Sequence, residues 1–400
     1  MLERVRPLQT EDVSLDDALG RVLGEDVASA EAIPSFDNSA MDGYAVQAED
    51  TRGATPEAPV ILRVIDESRA GSPALASAGA GEAIAISTGA SMPGGCDAVV
   101  RIEEIEQRNG SIAISGPVEE GRDVRRAGDD VRAGELVLRR GAVLGPSELG
   151  VLASIGRTGA SCARRPKVGV LTTGDELVGP GEQLGPGMIR NANAHSVPAL
   201  GRGSGALVTD IRHAGDDAVA TRDAIGVLLA ADLVVVCGGV SVGEHDYVRP
   251  AFGELGIEEV FWGLALRPGR PTWFGTAPNG TLAFGLPGNP VSAIVTFVLL
   301  VRPALLAMAG TNPERHRSTA RLDGAYPKRP GRAHFVRVRL ESREDGWHAQ
   351  PTKEQASHVL TSMLGADAFA IVPADRGDVE AGERVEIELL PSAGMLAGGV

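Results

Sequence analysis

Residues 231–247 read ADLVVVCGGVSVGEHDY. Residues 233–236 form a short apolar run rich in β-branched side chains, the pattern of a strand buried on both faces. The run leads straight into Cys237-Gly238-Gly239-Val240-Ser241-Val242-Gly243, then Glu244, His245 and Asp246. The three glycines let a backbone turn tightly and approach a ligand closely. The acids that follow suit a hard cation such as Mg2+. In an open α/β sheet, ligands sit at the carboxyl ends of strands. Strand, glycine turn and acid, in that order, mark a candidate site.

Two other stretches repeat this order. Residues 168–171 are an apolar strand ending in Thr172-Thr173-Gly174-Asp175-Glu176. Residues 281–286 are another, ending in Pro287-Gly288-Asn289-Pro290 and followed by an apolar helical pattern over 291–301. Asn289 suits an N-cap and Pro290 the first helical position. The free N–H groups and dipole of such a helix start attract an anion. Three strand ends of this kind predict a site for a phosphorylated ligand with a metal.

Between and beyond these strands, helical and strand patterns alternate from Lys167 to about Gly310, the signature of a doubly wound α/β domain. Residues 210–223 lead into a helix, with Asp216 and Asp217 where acids complement its dipole. The loop Ala265-Leu266-Arg267-Pro268-Gly269-Arg270-Pro271 is bent and rigid. Its two guanidiniums suit an oxyanion; the plainer reading is a surface turn between strands.

Upstream, residues 14–23 (SLDDALGRVL) read as a helix, with Ser14 as cap and Asp17 at the capping-box position. Residues 33–46 (IPSFDNSAMDGYAV) read as a polar, turn-prone loop between a helix and a strand, with Asp42-Gly43 as its turn. Short runs at 60–65, 82–87, 97–105 and 111–115, separated by glycine-rich segments, predict a small β domain. It ends in Arg122-Asp123-Val124-Arg125-Arg126-Ala127-Gly128-Asp129-Asp130, read either as a solvated face or as an arginine pair beside a carboxylate. A strand at 135–138 and a short helix at 146–155, stopped by Gly156, precede a junction at Arg164-Arg165-Pro166. From about Asn312 the pattern is β again. Residues 335–340 (FVRVRL) and 385–389 (VEIEL) alternate as half-exposed strands do, and the tail 392–400 is expected to fray.

Composition bounds the reading. A chain of 400 residues is too long for one ordinary core. A net charge of -15 argues against nucleic acid as the main partner. Cys96, Cys162 and Cys237 are isolated, neither a zinc framework nor a disulfide scaffold, and a reducing, cytoplasmic compartment is the natural reading. The N-terminal sequence lacks the apolar run of a signal peptide. The apolar pattern at 291–301 is too short to span a bilayer, so no membrane partner is expected.

Taken together, PSFDNSAMDGYAV, ISTGASMPGGCDAVV, DVRRAGDDV, LTTGDELV, GGVSVGEHDY, RPGRP and GLPGNPVSA resemble the molybdopterin molybdenumtransferase family, the MoeA-type enzymes related to the E domain of gephyrin. The motifs stand in the family order and span almost the entire chain. The resemblance implies a multidomain α/β plus β fold. An elongated linker domain would comprise residues 1–40 and 131–165, and a small β domain, 41–130, would be inserted in it. A molybdopterin-binding-like α/β domain would span 166–311 and a C-terminal β-barrel 312–400. It implies a homodimer with the active cleft between subunits. The implied reaction takes adenylated molybdopterin and molybdate, uses Mg2+, releases AMP and yields molybdenum cofactor. A transient contact with the adenylyltransferase that supplies the substrate is implied as well.

Carried over motif by motif, Asp42, Thr88, Asp130, Glu176, Asp217 and Asp246 are expected to be catalytic, with Glu176 and Asp246 on the metal. Expected substrate contacts are Arg125, the turn residues Gly238, Gly239, Ser241 and Gly243, and the paired Arg267 and Arg270. Pro287, Gly288, Asn289 and Pro290 form the phosphate loop. Arg337 and Ser357 match the family's C-terminal molybdate-contact positions. The chain departs from the family in RPGRP, where lysines are usual, in Asn191, where Asp is commoner, and in DDAVATRDA, which replaces a DDPxxLxxA-like helix start. Two other readings share parts of these motifs: a molybdopterin adenylyltransferase or nucleotide pyrophosphatase on a related α/β module, and a non-catalytic molybdopterin-binding scaffold.

Overall fold

The computed structural model describes every residue except 242, 244, 245, 314–316, 353 and 391–400. Contacts divide the chain into two compact units. One is Asp26–Arg139 with Gly150–Arg157; the other is Met1–Glu25, Arg140–Leu149 and Thr158–Val400. The first takes in the expected inserted β domain and, with it, part of the expected linker segments.

In that first unit the β domain is a six-stranded sheet. Its order is Ala98–Arg101, Gly43–Val46, Glu82–Ile86, Val60–Ser68, Ser111–Ile114, Ile105–Arg108. The apolar run expected over 97–105 is split: a 3-10 turn at Ile102–Glu104 separates Ala98–Arg101 from Ile105–Arg108, which stand at opposite ends of the strand order. Tyr44, Val46, Leu62, Ala83, Val100, Ile112 and Ile114 form one core, as alternation predicts when one face is buried. The expected Asp42-Gly43 turn is instead the entry to a strand. A side chain at Gly43 would meet the Val100 carbonyl oxygen at 2.0 Å, so only glycine fits there.

In the second unit, the predicted helix at 14–23 is absent. Thr10–Ser14 is a strand paired with Gly159–Ala163, and only Leu15–Asp17 is helical, as one 3-10 turn. The capping chemistry is present all the same: the Asp17 N–H donates to Ser14 Oγ at 3.3 Å. Gly20 at φ 72 ends the turn, and Val22 and Leu23 form bridges to Val143 and Cys162. Backbone pairing with distant segments overrides the local helical pattern.

The α/β sheet has six strands: β1 (Lys167–Thr173), β2 (Leu207–Ala214), β3 (Leu233–Cys237), β4 (Glu258–Trp262), β5 (Trp273–Thr276) and β6 (Leu282–Leu286). Their order is β2-β1-β3-β6-β5-β4. β2, β1, β3 and β6 are parallel; β5 and β4 add an antiparallel edge. All five residues of β3 are buried, as its unbroken apolar run predicts. The strand order reverses between β1 and β3, which opens a crevice at their carboxyl ends.

Four helices cover the sheet: α1 (Asn193–Gly203), α2 (Ala218–Leu228), α3 (Val248–Glu254) and α4 (Pro290–Met308). α4 runs past the predicted 291–301. A π turn at Phe297–Val301 lies just before Pro303. Proline has no N–H and its ring crowds the carbonyl four residues back; the wider turn relieves both. The 19 residues of α4 are long and apolar enough to cross a bilayer, contrary to the expectation from 291–301, but 72% of its apolar window is buried within the protein. Val291, Val295, Val298 and Leu299 pack on Phe335, Phe369 and Ile371.

Those phenylalanines belong to the C-terminal β structure, β7 (Arg317–Leu322), β8 (Ala333–Arg343), β9 (Gly346–Pro351), β10 (Ala368–Val372) and β11 (Arg384–Leu389). The order β8-β9-β7-β11-β10 closes through a β10–β8 pairing, so the five strands form the expected barrel. Closure leaves it no free edge.

Candidate functional site

The carboxyl ends of β1, β3 and β6 bring three sequence motifs together. Thr172 of β1 pairs with Cys237 of β3, which pairs with Leu286 of β6. The Gly238 N–H donates to the Leu286 carbonyl at 3.0 Å, and Gly238 takes φ 102. A side chain there would meet Thr173 Oγ1 at 2.7 Å, so glycine keeps the turn open. A Cβ built on Gly288 would stand 3.7 Å from the Gly238 Cα, so the two glycine loops lie in contact. Gly239 is half-buried; Ser241, Gly243 and Gly288 are exposed. Cys237, at the end of β3, is no nucleophile: burial pushes its thiol up to about 12.

The carboxylates divide by role. Asp246 is half-buried and accepts the Gly243 N–H at 2.8 Å, closing the turn after β3. Glu176 is exposed, and its carboxylate folds back over Gly174 at the end of β1. Asp175 and Asp216 hold two turns together, the Asp216 N–H donating to Asp175 Oδ1 at 3.0 Å. Asp217 is the N-cap of α2 and accepts the Ala220 N–H at 2.7 Å. That accounts for an acid at position 217 without a ligand. Glu244 and His245 of the GEHDY motif lie outside the described residues.

Among the described residues, no three His, Cys, Asp or Glu side chains stand together as a ready metal cage. Mg2+ needs no such cage, because it keeps several waters and takes one or two carboxylates plus substrate phosphates. Glu176 and Asp246 follow neighbouring strands and offer such a pair.

Asn193 went unassigned in the sequence. Its Nδ2 donates to the Gly288 carbonyl at 2.7 Å and so fixes the loop before α4. Its Oδ1 is buried and, among the described residues, has no partner. Buried amide oxygens seldom stay unpaired, so this atom offers an acceptor beside the glycine loops. Residues 189–195 read IRNANAH, and nothing in a single sequence separates Asn193 from Asn191. Asn191 has a different task. Its Nδ2 donates to Thr172 Oγ1 at 2.8 Å and its Oδ1 accepts the Ala194 N–H at 3.1 Å. An aspartate lacks the N–H for the first bond and would have to accept the Thr172 hydroxyl proton instead.

Pro290 opens α4 as predicted, while Asn289 sits at the cap position without capping. Its side chain turns instead to Ser357 Oγ at 3.1 Å. The Val291 N–H donates to the Ser357 carbonyl at 3.2 Å. Pro287 is buried beneath this loop. Arg267 and Arg270 are both exposed, on a loop whose Leu266–Arg267 segment pairs with Ala333 and His334 of the barrel. RPGRP is therefore a junction between sheets and not a simple turn. Burial, and then the Arg267 charge, hold His334 down at about 4.

Arg337 differs from its expected role. It is 1% exposed. Its guanidinium donates to Ser362 Oγ and to the carbonyls of Glu354, Gln355 and Ala356, at 3.1–3.3 Å. Burial lowers it to about 10. It fixes the loop that carries Ser357, and its hydrogen-bonding edge is spent on this protein's own backbone.

In the β-domain unit, the Thr88 N–H donates to Asp42 Oδ1 at 2.7 Å, joining two of the motifs. Arg125 pairs with Asn38 through its backbone, and its side chain is exposed. Arg126 pairs with Asp37 at 2.7 Å, which also accepts the Ala127 N–H at 2.8 Å. Both bonds hold the Asp37 carboxyl below the usual carboxylate range, the backbone bond first. Asp130 is exposed, and its N–H donates to the Ile33 carbonyl at 3.0 Å. The arginine pair is thus split: one is committed to Asp37 and one is open.

Three family models match in succession: the MoeA N-terminal region (domain I and II) over residues 1–156, the probable molybdopterin binding domain over 169–307, and the MoeA C-terminal region (domain IV) over 319–390. A molybdopterin molybdenumtransferase of Haemophilus influenzae is 38% identical over 396 residues, 97% of this chain and 96% of the relative. One from Bacillus subtilis is 34% identical, covering 96% and 90%. The crystal structure of the molybdopterin biosynthesis MoeA protein from Pyrococcus horikoshii OT3 superimposes with a TM-score of 0.84 at 31% identity, covering 97% of each chain. The glycine loops at the ends of β1, β3 and β6, the barrel joined through RPGRP and this full-length similarity have one reading: the chain belongs to the molybdopterin molybdenumtransferase family.

Proposed function

We propose that this transferase inserts molybdenum into molybdopterin presented as its adenylate, taking molybdate and Mg2+ and releasing AMP, as a homodimer fed by an adenylyltransferase. The observation that carries the reading is the contact between the Gly238 turn and the Gly288 loop at the head of α4. Two glycine turns side by side admit a phosphate close to the backbone. Asn193, through Nδ2, holds the Gly288 carbonyl in place and keeps Oδ1 for the ligand. Glu176 and Asp246 would hold Mg2+, which would supply charge neutralisation for the substrate phosphates. Arg267 and Arg270 supply exposed guanidiniums for the molybdate dianion. Arg337 acts one step back: it positions the loop that presents Ser357 to Asn289.

The test is AMP release from adenylated molybdopterin with Mg2+, with and without molybdate. Molybdate-stimulated release, with a product that reconstitutes a molybdoenzyme, is the expected result. Ligand binding without release would favour the scaffold reading. Adenylation of molybdopterin from ATP would favour the adenylyltransferase.

A further inference from the structure

At the amino edge of the sheet, opposite the glycine loops, lies a cavity of about 340 Å³. Five arginines line it, Arg21, Arg164, Arg165, Arg202 and Arg302, and among the described residues no carboxylate does. Two of the five are already neutralised. Arg21 pairs with Glu11 and donates to the Ala163 carbonyl at 3.0 Å. Arg164 makes two bonds of 2.6 Å to Asp232. Arg165 and Arg202 are exposed and Arg302 is half-buried, and no ion pair or hydrogen bond engages any of the three side chains among the described residues. Three guanidiniums thus converge without an ion pair or hydrogen bond among the described residues, in a chain of net charge -15.

Arg302 is the informative member. A guanidinium withdrawn from water is costly unless hydrogen-bonded. Burial pulls Arg302 below its ordinary range, and Glu388 is the one acid that opposes this. The last carbonyls of α1, in the cavity wall, are engaged in capping bonds. The Ser204 N–H serves Leu200 and Gly201, and the Gly205 N–H serves Arg202.

We propose that this cavity is a second anion site, for a phosphate-class oxyanion of the size of inorganic diphosphate. Arginine forks match phosphate oxygens two at a time. The volume holds about ten waters' worth of space, enough for two phosphoryl groups. The cavity is separate from the glycine loops. It flanks Pro166, just before β1, and the loops lie past Thr173 at the other end, about 20 Å along the strand. The inference does not depend on the proposed reaction.

Diphosphate and, separately, ADP are titrated into the full-length protein by calorimetry, at ionic strength held constant with KCl. Hydrogen exchange locates the binding. The expected result is protection around residues 200–206 and 302–309. Affinity should fall about tenfold in Arg202→Glu and in Arg302→Gln, as loss of a charge-assisted bond predicts. Tighter binding of ADP at the same segments would assign the site to a nucleotide's diphosphate; equal binding would assign it to the free anion. If Arg302→Gln fails to fold, the exposed Arg165→Glu and Arg202→Glu carry the test. Protection confined to the Gly238 and Gly288 loops overturns the proposal. So does a response that KCl alone reproduces, or affinity unchanged in the variants.

Discussion

Asn289 Nδ2 donates to Ser357 Oγ across 3.1 Å, and the Val291 N–H donates to the Ser357 carbonyl. The head of α4 is therefore braced by a loop of the barrel, which Arg337 holds through three carbonyls and Ser362.

Arg337→Met should strand those acceptors in a buried position. Charged hydrogen bonds are worth roughly 1.5–3 kcal/mol each, so a loss of about 3 kcal/mol or more is expected. Arg337→Lys should not rescue it, because an ammonium cannot bridge several carbonyls as a planar fork does. Ser357→Ala should leave stability within about 1 kcal/mol and raise KM. Urea denaturation and steady-state kinetics separate the two effects. A stable Arg337→Met protein with only a raised molybdate requirement would return Arg337 to direct anion contact.

Asp217 caps α2, so Asp217→Ala should cost about 1 kcal/mol. Asp217→Asn keeps an acceptor for the Ala220 N–H and should keep the stability. The pair of variants separates cap from catalyst. If the carboxylate takes part in turnover, AMP release falls in both; if it only caps, Asp217→Asn turns over normally.

Much of this was legible in the sequence because strand and turn carry local signals. The unbroken apolar run of β3 and the glycines after it announce a buried strand with an open turn. The barrel strands show their period. Residues 14–23 misled because their helical spacing and capping pair are local, whereas the pairing of Thr10–Ser14 with Gly159–Ala163 is not. Arg337 misled for the same reason: its partners at 354–356 are brought to it only when the barrel closes. The antiparallel β5–β4 edge and the Asn193 amide likewise depend on contacts that no spacing encodes.

The barrel carries a pH-sensitive pair of contacts. His348 Nδ1 lies 2.6 Å from Asp323 and Nε2 lies 2.9 Å from Asp345. Two carboxylates on one ring favour both nitrogens protonated, against the Arg343 guanidinium, whose Nη1 lies 2.9 Å from Nδ1 and whose charge lowers the imidazole. The Asp323 bond, then the Asp345 bond, raises the imidazole above its usual value. His348 holds both carboxyls below theirs. The imidazolium's contribution is full below the unfolded histidine value, about 6.5, and is lost as pH rises through the elevated folded value. The carboxylates' contribution is full above about 4 and is lost as pH falls through their depressed values. Hydrogen exchange in Ala333–Arg343 and Gly346–Pro351 should therefore be slowest, after correction for intrinsic rates, between about pH 4 and 6.5. His348→Gln should remove the alkaline limb and shrink the acid limb, because the imidazolium is the main partner of both carboxylates. An unchanged alkaline limb in that variant would refute the assignment.

The carboxylates after β1 and β3 can be tested without disturbing the fold. Asp246→Ala would free the Gly243 N–H and loosen the turn, confusing shape with charge. Asp246→Asn keeps an acceptor for that N–H and removes only the charge. Glu176 is exposed, so Glu176→Gln should fold as well. Each should lower AMP release on the order of a hundredfold, about 2.7 kcal/mol of transition-state stabilisation. The Mg2+ concentration for half-maximal rate should rise in both. An unchanged Mg2+ requirement in both variants, whatever the rate, would show that these two carboxylates do not hold the ion. The metal would then have to be sought among the other acids at the ends of β1 and β2, Asp175 and Asp216, whose side chains tie two turns together.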